Sequence, residues 1–157
     1  MLDAGAQCTD CFMTTIAVYA GLFATAFVAA TILPVQSEAM LVALLLTESY
    51  SIAGLLAVAS AGNVLGAAVN WLLGRGVERF RDRRWFPVKP AQLDRAAGWY
   101  HRYGRWTLLL SWAPVIGDAL TVAAGVMREP FWSFLLIVTV AKVGRYLVLA
   151  AATQGLL

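Results

Sequence analysis

Charge is the scarcest ingredient of this sequence. Only 13% of its residues are Asp, Glu, Lys or Arg, about half the roughly 25% of an average soluble domain. Histidine occurs once, as His101, and cysteine twice, as Cys8 and Cys11. The C-T-D-C pair reads as a disulfide or half of a metal site, or more simply as two small residues near a loose end. A lone CxxC without a second ligand pair or a βαβ context carries little information. His101 sits beside Arg102 in a basic stretch and reads as a surface residue. No HExxH, GxSxG, P-loop or GxGxxG is present. Nothing therefore points to nucleophilic or metal catalysis, and the expectation is a protein that is not an enzyme and carries no cofactor.

Apolar residues fill the space that charge leaves. They make up 61% of the 157 residues, and the mean hydropathy is +0.72. Cys11 to Ser37 runs 27 residues without a charge, and Ser49 to Gly74 runs 26. About 20 apolar residues cross the hydrocarbon core of a bilayer. Two such stretches in so short a chain exclude a soluble core and predict an all-α integral membrane protein. Met1 to Asp10 carries two Asp and no Lys or Arg. A secretory n-region is basic, so the first apolar stretch is expected to be retained.

The charges that exist are concentrated. Twelve of the 21 lie between Arg75 and Arg105, nine of them basic. This is the pattern of a cytoplasmic loop beside anionic lipid, and the net charge of +3 does not imply nucleic-acid binding. Within the loop, Pro90 to Tyr103 reads as an amphipathic surface helix. Leu93, Ala96, Ala97 and Tyr100 recur at helical spacing, with Trp99 and Trp106 as interfacial anchors.

Four apolar blocks surround this loop: Phe12 to Leu46, Ile52 to Leu73, Trp106 to Met127 and Phe131 to Thr153. Two of them repeat a motif. Leu33-Pro34-Val35-Gln36-Ser37-Glu38-Ala39 resembles Ala113-Pro114-Val115-Ile116-Gly117-Asp118-Ala119. Each copy has Pro-Val and an acid four residues after the proline, and Val42-Ala43 and Val122-Ala123 match at the same offset of 80. After Pro34 about a dozen apolar residues remain, or about 18 Å of helix against a core of about 30 Å. Proline breaks the helix, and broken backbone survives at membrane depth only under cover of protein or water. Pro34 and Pro114 are therefore predicted to be the tips of two re-entrant hairpins, each followed by a transmembrane helix. An ordinary four-span bundle, with Phe12 to Ile32 as a full span, is the alternative. The single domain, 1–157, divides into a first half (12–74), a basic cytoplasmic connector (75–105) and a second half (106–157). With the connector inside, the halves have opposite topology, the inverted repeat common in secondary transporters.

Ionisable groups at membrane depth are costly and normally face a polar cavity or a partner. Glu38 and Asp118 each stand one turn beyond a tip proline. Lys142 and Arg145, three apart on one helix face, are the obvious counter-charges, and Thr139 and Tyr146 extend their stripe. Asn63, Gly66 and Asn70 share a face of the second block, which completes a wet pocket or simply packs helices. The bland reading of all these residues is structural glue, with buried pairs that specify the fold.

Leu33 to Glu38, Gly62-Asn63-Val64-Leu65-Gly66 with Asn70 and Gly74-Arg75, Arg102-Tyr103-Gly104, Leu110 to Asp118 and Lys142 to Tyr146 stand in an order that resembles the YqaA-type branch of the DedA superfamily, the VTT-domain or SNARE-associated group of bacterial inner-membrane proteins. The resemblance covers nearly all of the chain after about Thr14. It implies two re-entrant hairpins and lipid handling, that is, scrambling or flipping of anionic phospholipids or polyprenyl phosphates, with proton dependence in several members. Better-known members carry arginines around the second proline tip. Here Ser111 and Gly117 stand in that neighbourhood, and Lys142 and Arg145 are the positive charges available instead. The resulting expectation is a multi-pass inner-membrane lipid transporter or scramblase whose partners are membrane lipids and protons. The rival is a non-transporting assembly factor. A membrane enzyme acting on lipid phosphates has no motif support.

Overall fold

The computed structural model describes residues 4–31, 36–76, 95, 98, 102–113 and 116–155. The described elements are all helical: α1 (Ala4–Thr31), α2 (Gln36–Leu46), α3 (Ile52–Arg75), a 3-10 helix (Gly104–Trp112), α4 (Ile116–Val126) and α5 (Phe131–Gly155). Pro34, Pro114, Trp99, His101 and most of the 75–105 connector lie outside the described residues. Arg95, Gly98, Arg102 and Tyr103 within the connector are helical. Cys8 and Cys11 fall in α1, with side chains outside the description.

Among the described residues three spans are long and apolar enough to cross a membrane: Met13–Thr31, Ile52–Arg75 and Phe131–Gly155. Their outer faces carry Leu65, Leu72, Leu136, Val140, Leu147 and Val148, all at least half exposed. Water would not tolerate so large an apolar surface, and lipid does. The chain is an all-α integral membrane protein.

The two copies of the sequence motif lead into helices of equal length. Helices α2 and α4 both have 11 residues, and Gln36 and Leu46 lie 80 residues before Ile116 and Val126. Each is followed by a residue in the left-handed region, Glu48 at φ 52° and Arg128 at φ 56°, again 80 apart. After α4 the stop is a full Schellman turn. The Glu129 amide donates to the Ala124 carbonyl at 3.0 Å and the Arg128 amide to that of Gly125 at 3.1 Å, which satisfies carbonyls at the helix end. Helix α3 starts on a serine cap, where the Ser51 hydroxyl accepts from the Gly54 amide at 3.4 Å.

Small residues let the backbones meet. Helices α1 and α3 run parallel, with Tyr19 beside Gly54, Ala26 beside Gly62 and Ala30 beside Gly66. A Cβ on Gly62 would lie 2.6 Å from the Phe23 carbonyl oxygen, and one on Gly66 2.6 Å from the Ala30 Cβ. This is the small-xxx-small contact of membrane helices. Near the other end of α3, Gly74 and Gly125 bring α3 and α4 into backbone contact. Thus α1 and α2 pack along the first two-thirds of α3, whereas α4 packs along its last third.

Among the described residues one small apolar cluster lies within α4 (Ala119, Leu120, Val122 and Ala123), and two larger ones join several helices. One joins Leu22, Leu41, Leu45, Leu55, Ala59, Tyr146 and Ala150. The other joins Ala67, Trp71, Leu108, Ala124, Phe134, Ile137 and Val138. The start of α3 shares a cluster with the end of α5, and the end of α3 with the start of α5, so these helices are antiparallel. The layer between the clusters contains Asn63 and Lys142, each the twelfth residue of its helix. That is about 17 Å from each helix start at 1.5 Å per residue, close to the midpoint of each apolar span.

Candidate functional site

In this middle layer the charges converge. Helix α2 contributes Glu38 and α4 contributes Asp118, each in its helix's first turn. Helix α5 contributes both cations. Arg145 pairs with Glu38 through Nη2 and Oε1, and the Lys142 Nζ lies 3.6 Å from Asp118 Oδ1. Three residues apart on one helix, the cations divide between the repeats, one acid each. The four formal charges sum to zero, the arrangement that a low-dielectric surround favours.

Asn63 ties the pairs to α3. Lysine is only a donor, so the Lys142 ammonium fixes which way the amide faces: Asn63 Oδ1 accepts from Lys142, and Nδ2 donates to the Tyr146 hydroxyl at 2.7 Å. The tyrosine hydroxyl then stands 3.5 Å from that of Ser37. A continuous polar path thus runs Asp118, Lys142, Asn63, Tyr146, Ser37, with the Glu38–Arg145 pair beside it. Ser37, Glu38, Asn63, Ser111, Asp118, Lys142 and Arg145, with alanines 29, 30 and 113, line a chamber of about 20 Å³, which is room for about one water molecule. The Ser111 hydroxyl is buried in that wall and has no hydrogen-bond partner among the described residues.

Asn70 is elsewhere. It lies nearly two turns beyond Asn63 and is not among the chamber-lining residues. Its amide donates to the Ala30 carbonyl at 2.8 Å, satisfying an acceptor left open by the end of α1. Ser37 and Ser111 carried no chemistry in the sequence reading. For Ser37 the available signal was adjacency to Glu38. For Ser111 it was its place just before the second tip. Gly117 has a physical reason to be glycine, since a Cβ there would collide with the Ser111 carbonyl. No side chain of any charge fits at that position.

A second, apolar depression adjoins the chamber from the lipid side. Val140, Ala141, Gly144, Arg145, Val148 and Leu149 of α5, with Trp112 as the opposing wall, enclose about 610 Å³. Arg145 is common to both cavities. No group of three His, Cys, Asp or Glu suited to a metal occurs among the described residues.

Comparison with known proteins places this architecture. The VTT domain family matches residues 4–155. Inner membrane protein YqaA of Escherichia coli (strain K12) is 42% identical over 137 residues, covering 87% of this chain and 92% of that protein. More distant similarity reaches the undecaprenyl phosphate transporter A proteins of Staphylococcus aureus, 30% identical over 95 residues, and Bacillus subtilis, 24% over 83. These alignments cover 55% and 51% of this chain and 47% and 42% of the transporters. No solved structure matches the chain significantly. The chain belongs to the VTT-domain family, in its YqaA-type DedA branch. It is a multi-pass protein of the bacterial inner membrane.

Proposed function

We propose that this protein moves phosphate-headed lipids across the inner membrane, passing the headgroup through the chamber at the middle of the fold. The observation that carries the reading is the convergence of one acid from each repeat on two cations of a single helix. The lining there includes a buried hydroxyl without a hydrogen-bond partner among the described residues. Guanidinium and ammonium groups are suitable phosphate ligands. The names of the undecaprenyl phosphate transporters add a chemical class, a lipid phosphate.

The reading takes the two proline-led hairpins as re-entrant. Supporting this, α2 and α4 are each about 16 Å long, too short to span. Ala30 at the end of α1 lies level with Gly66 rather than with the end of α3. Thr47 to Ser51 then returns the chain to the start of α3. The second hairpin approaches from the other end of α3, so Glu38 and Asp118 meet near the centre and the halves are inverted.

Mechanism follows from charge balance. A neutral set of four cannot add an anion without change. The phosphate displaces Glu38 from Arg145, the more exposed of the two pairs. A carboxylate left unpaired at low dielectric neutralises by taking a proton, which links anion entry to proton uptake. At about 20 Å³ the chamber must widen for this step, by separation of α2 from α4.

The assay is flux of a fluorescent long-chain phosphate in proteoliposomes. Asp118→Asn, at normal abundance and thermal stability, should abolish it. Wild-type flux from that variant leaves Asp118 as packing. The assembly-factor reading draws on the same geometry, since both acids are already paired and the chamber is small. It predicts that wild-type protein gives no flux above empty liposomes.

A further inference from the structure

The Arg145 guanidinium is shared by the two cavities, and this carries the inference. The chamber on one side is polar and enclosed by helices. The groove on the other is apolar and opens to the bilayer, where Trp112, Val140 and Val148 are more than half exposed. Its floor follows two i,i+4 ridges of α5, Val140–Gly144–Val148 and Ala141–Arg145–Leu149. It therefore runs along the helix for about 13 Å. Gly144 sits between the two valines, and a Cβ added there meets nothing within 4 Å. The missing side chain leaves the groove open beside the arginine.

We propose that this groove is the lateral portal for the lipid's hydrocarbon chain: a long-chain phosphate binds with its headgroup at Arg145 and its chain along Gly144, between Trp112 and Val148. Charge complementarity selects this occupant. Among the described residues that line the groove Arg145 alone is charged, and it stands where an apolar chain would end in an anion. The chamber beyond it offers Lys142 and the Ser111 hydroxyl to the same headgroup. The portal lets the chain stay in the bilayer while only the phosphate enters protein. The inference rests on the lipid-phosphate reading above and adds the path and the residue that keeps it open.

The test fills the groove without touching the charges. Gly144→Leu projects into open space, and Val148→Trp, on a residue 69% exposed, plugs the same groove from its rim. The probe is dodecyl phosphate carrying a diazirine in its chain, with the matching dodecyl alcohol as control, applied to purified protein in nanodiscs. Adducts are expected on Trp112, Val140 or Val148 with the phosphate and much less with the alcohol. Either plugging variant, at wild-type melting temperature, should reduce both labelling and proteoliposome flux by roughly tenfold, the effect of excluding about two methylenes from the groove. Equal labelling by the alcohol would mean bulk lipid contact and overturn the portal. Wild-type flux from both plugged variants would also overturn it while leaving the transport reading intact. Absent flux from the wild type, with phosphate-dependent labelling kept, would sink the transport reading and leave the binding groove. Disulfide dimers from Val148→Cys in a background lacking Cys8 and Cys11 would assign the groove to a second copy of the chain and refute the proposal.

Discussion

Lys142→Met is the most informative single perturbation of the central layer. The ammonium is almost fully buried, with its side chain 6% exposed. It serves Asp118 at 3.6 Å and also holds Asn63 Oδ1. Methionine is close to it in volume, one atom shorter, and removes the charge. It leaves an anion unpaired and an amide acceptor unsatisfied. Breaking a buried pair from one side costs about 3–5 kcal/mol. For a chain of this size each kcal/mol moves the melting temperature by about 2–4 °C. The expected loss is therefore roughly 6–20 °C, measured as thermal unfolding in detergent by intrinsic tryptophan fluorescence. Asp118→Leu combined with Lys142→Met removes the pair together. Apolar replacement of a whole buried pair is commonly neutral or stabilising, so the double variant should recover most of the lost stability. Recovered stability without recovered flux is the outcome that the transport reading requires. A single variant within about 1 kcal/mol of wild type, or a double variant less stable than the single, would refute the claim that this pair is energetically coupled.

Two further predictions test the frame around the site. Gly62→Leu forces a Cβ to within 2.6 Å of the Phe23 carbonyl and should separate α1 from α3, lowering stability by about 1–3 kcal/mol through overpacking. Gly144→Ala, where nothing lies within 4 Å, should be neutral or slightly stabilising in the same melt. Equal effects at the two glycines would mean that α1 and α3 do not meet through Gly62. Nine basic residues between Arg75 and Arg105 predict that this connector is cytoplasmic and both termini are outside. Single cysteines in the connector should resist an impermeant maleimide on intact cells, and labelling from outside would reverse the orientation.

Much of this protein is written locally in its chain. Uncharged runs too long for a soluble core identify a membrane protein, because the transfer of apolar residues into lipid is decided residue by residue. The repeat at an offset of 80 was legible for the same reason. A proline, a short apolar helix and a left-handed stop are local features, and they recur as α2 and α4 with matching bounds. Glu38, Asp118, Lys142 and Arg145 stood out because a charge within an apolar block is conspicuous in one dimension. That the cations answer the acids was legible too, but which cation takes which acid was not. Lys142 and Arg145 occupy one face of α5 at adjacent turns, and only the approach of α2 and α4 from opposite ends of α3 gives each acid its own cation. Asn63 and Asn70 look equivalent in sequence. One reaches Lys142 and Tyr146, while the other closes the end of α1, because the close contact at Gly62 and Gly66 sets where α1 stops against α3. Trp112 and Gly144 carry no signal in sequence of the groove they line, and Ser37 and Ser111 show only their places beside Glu38 and the second tip, since a cavity is a relation between helices and exists only once their backbones have met.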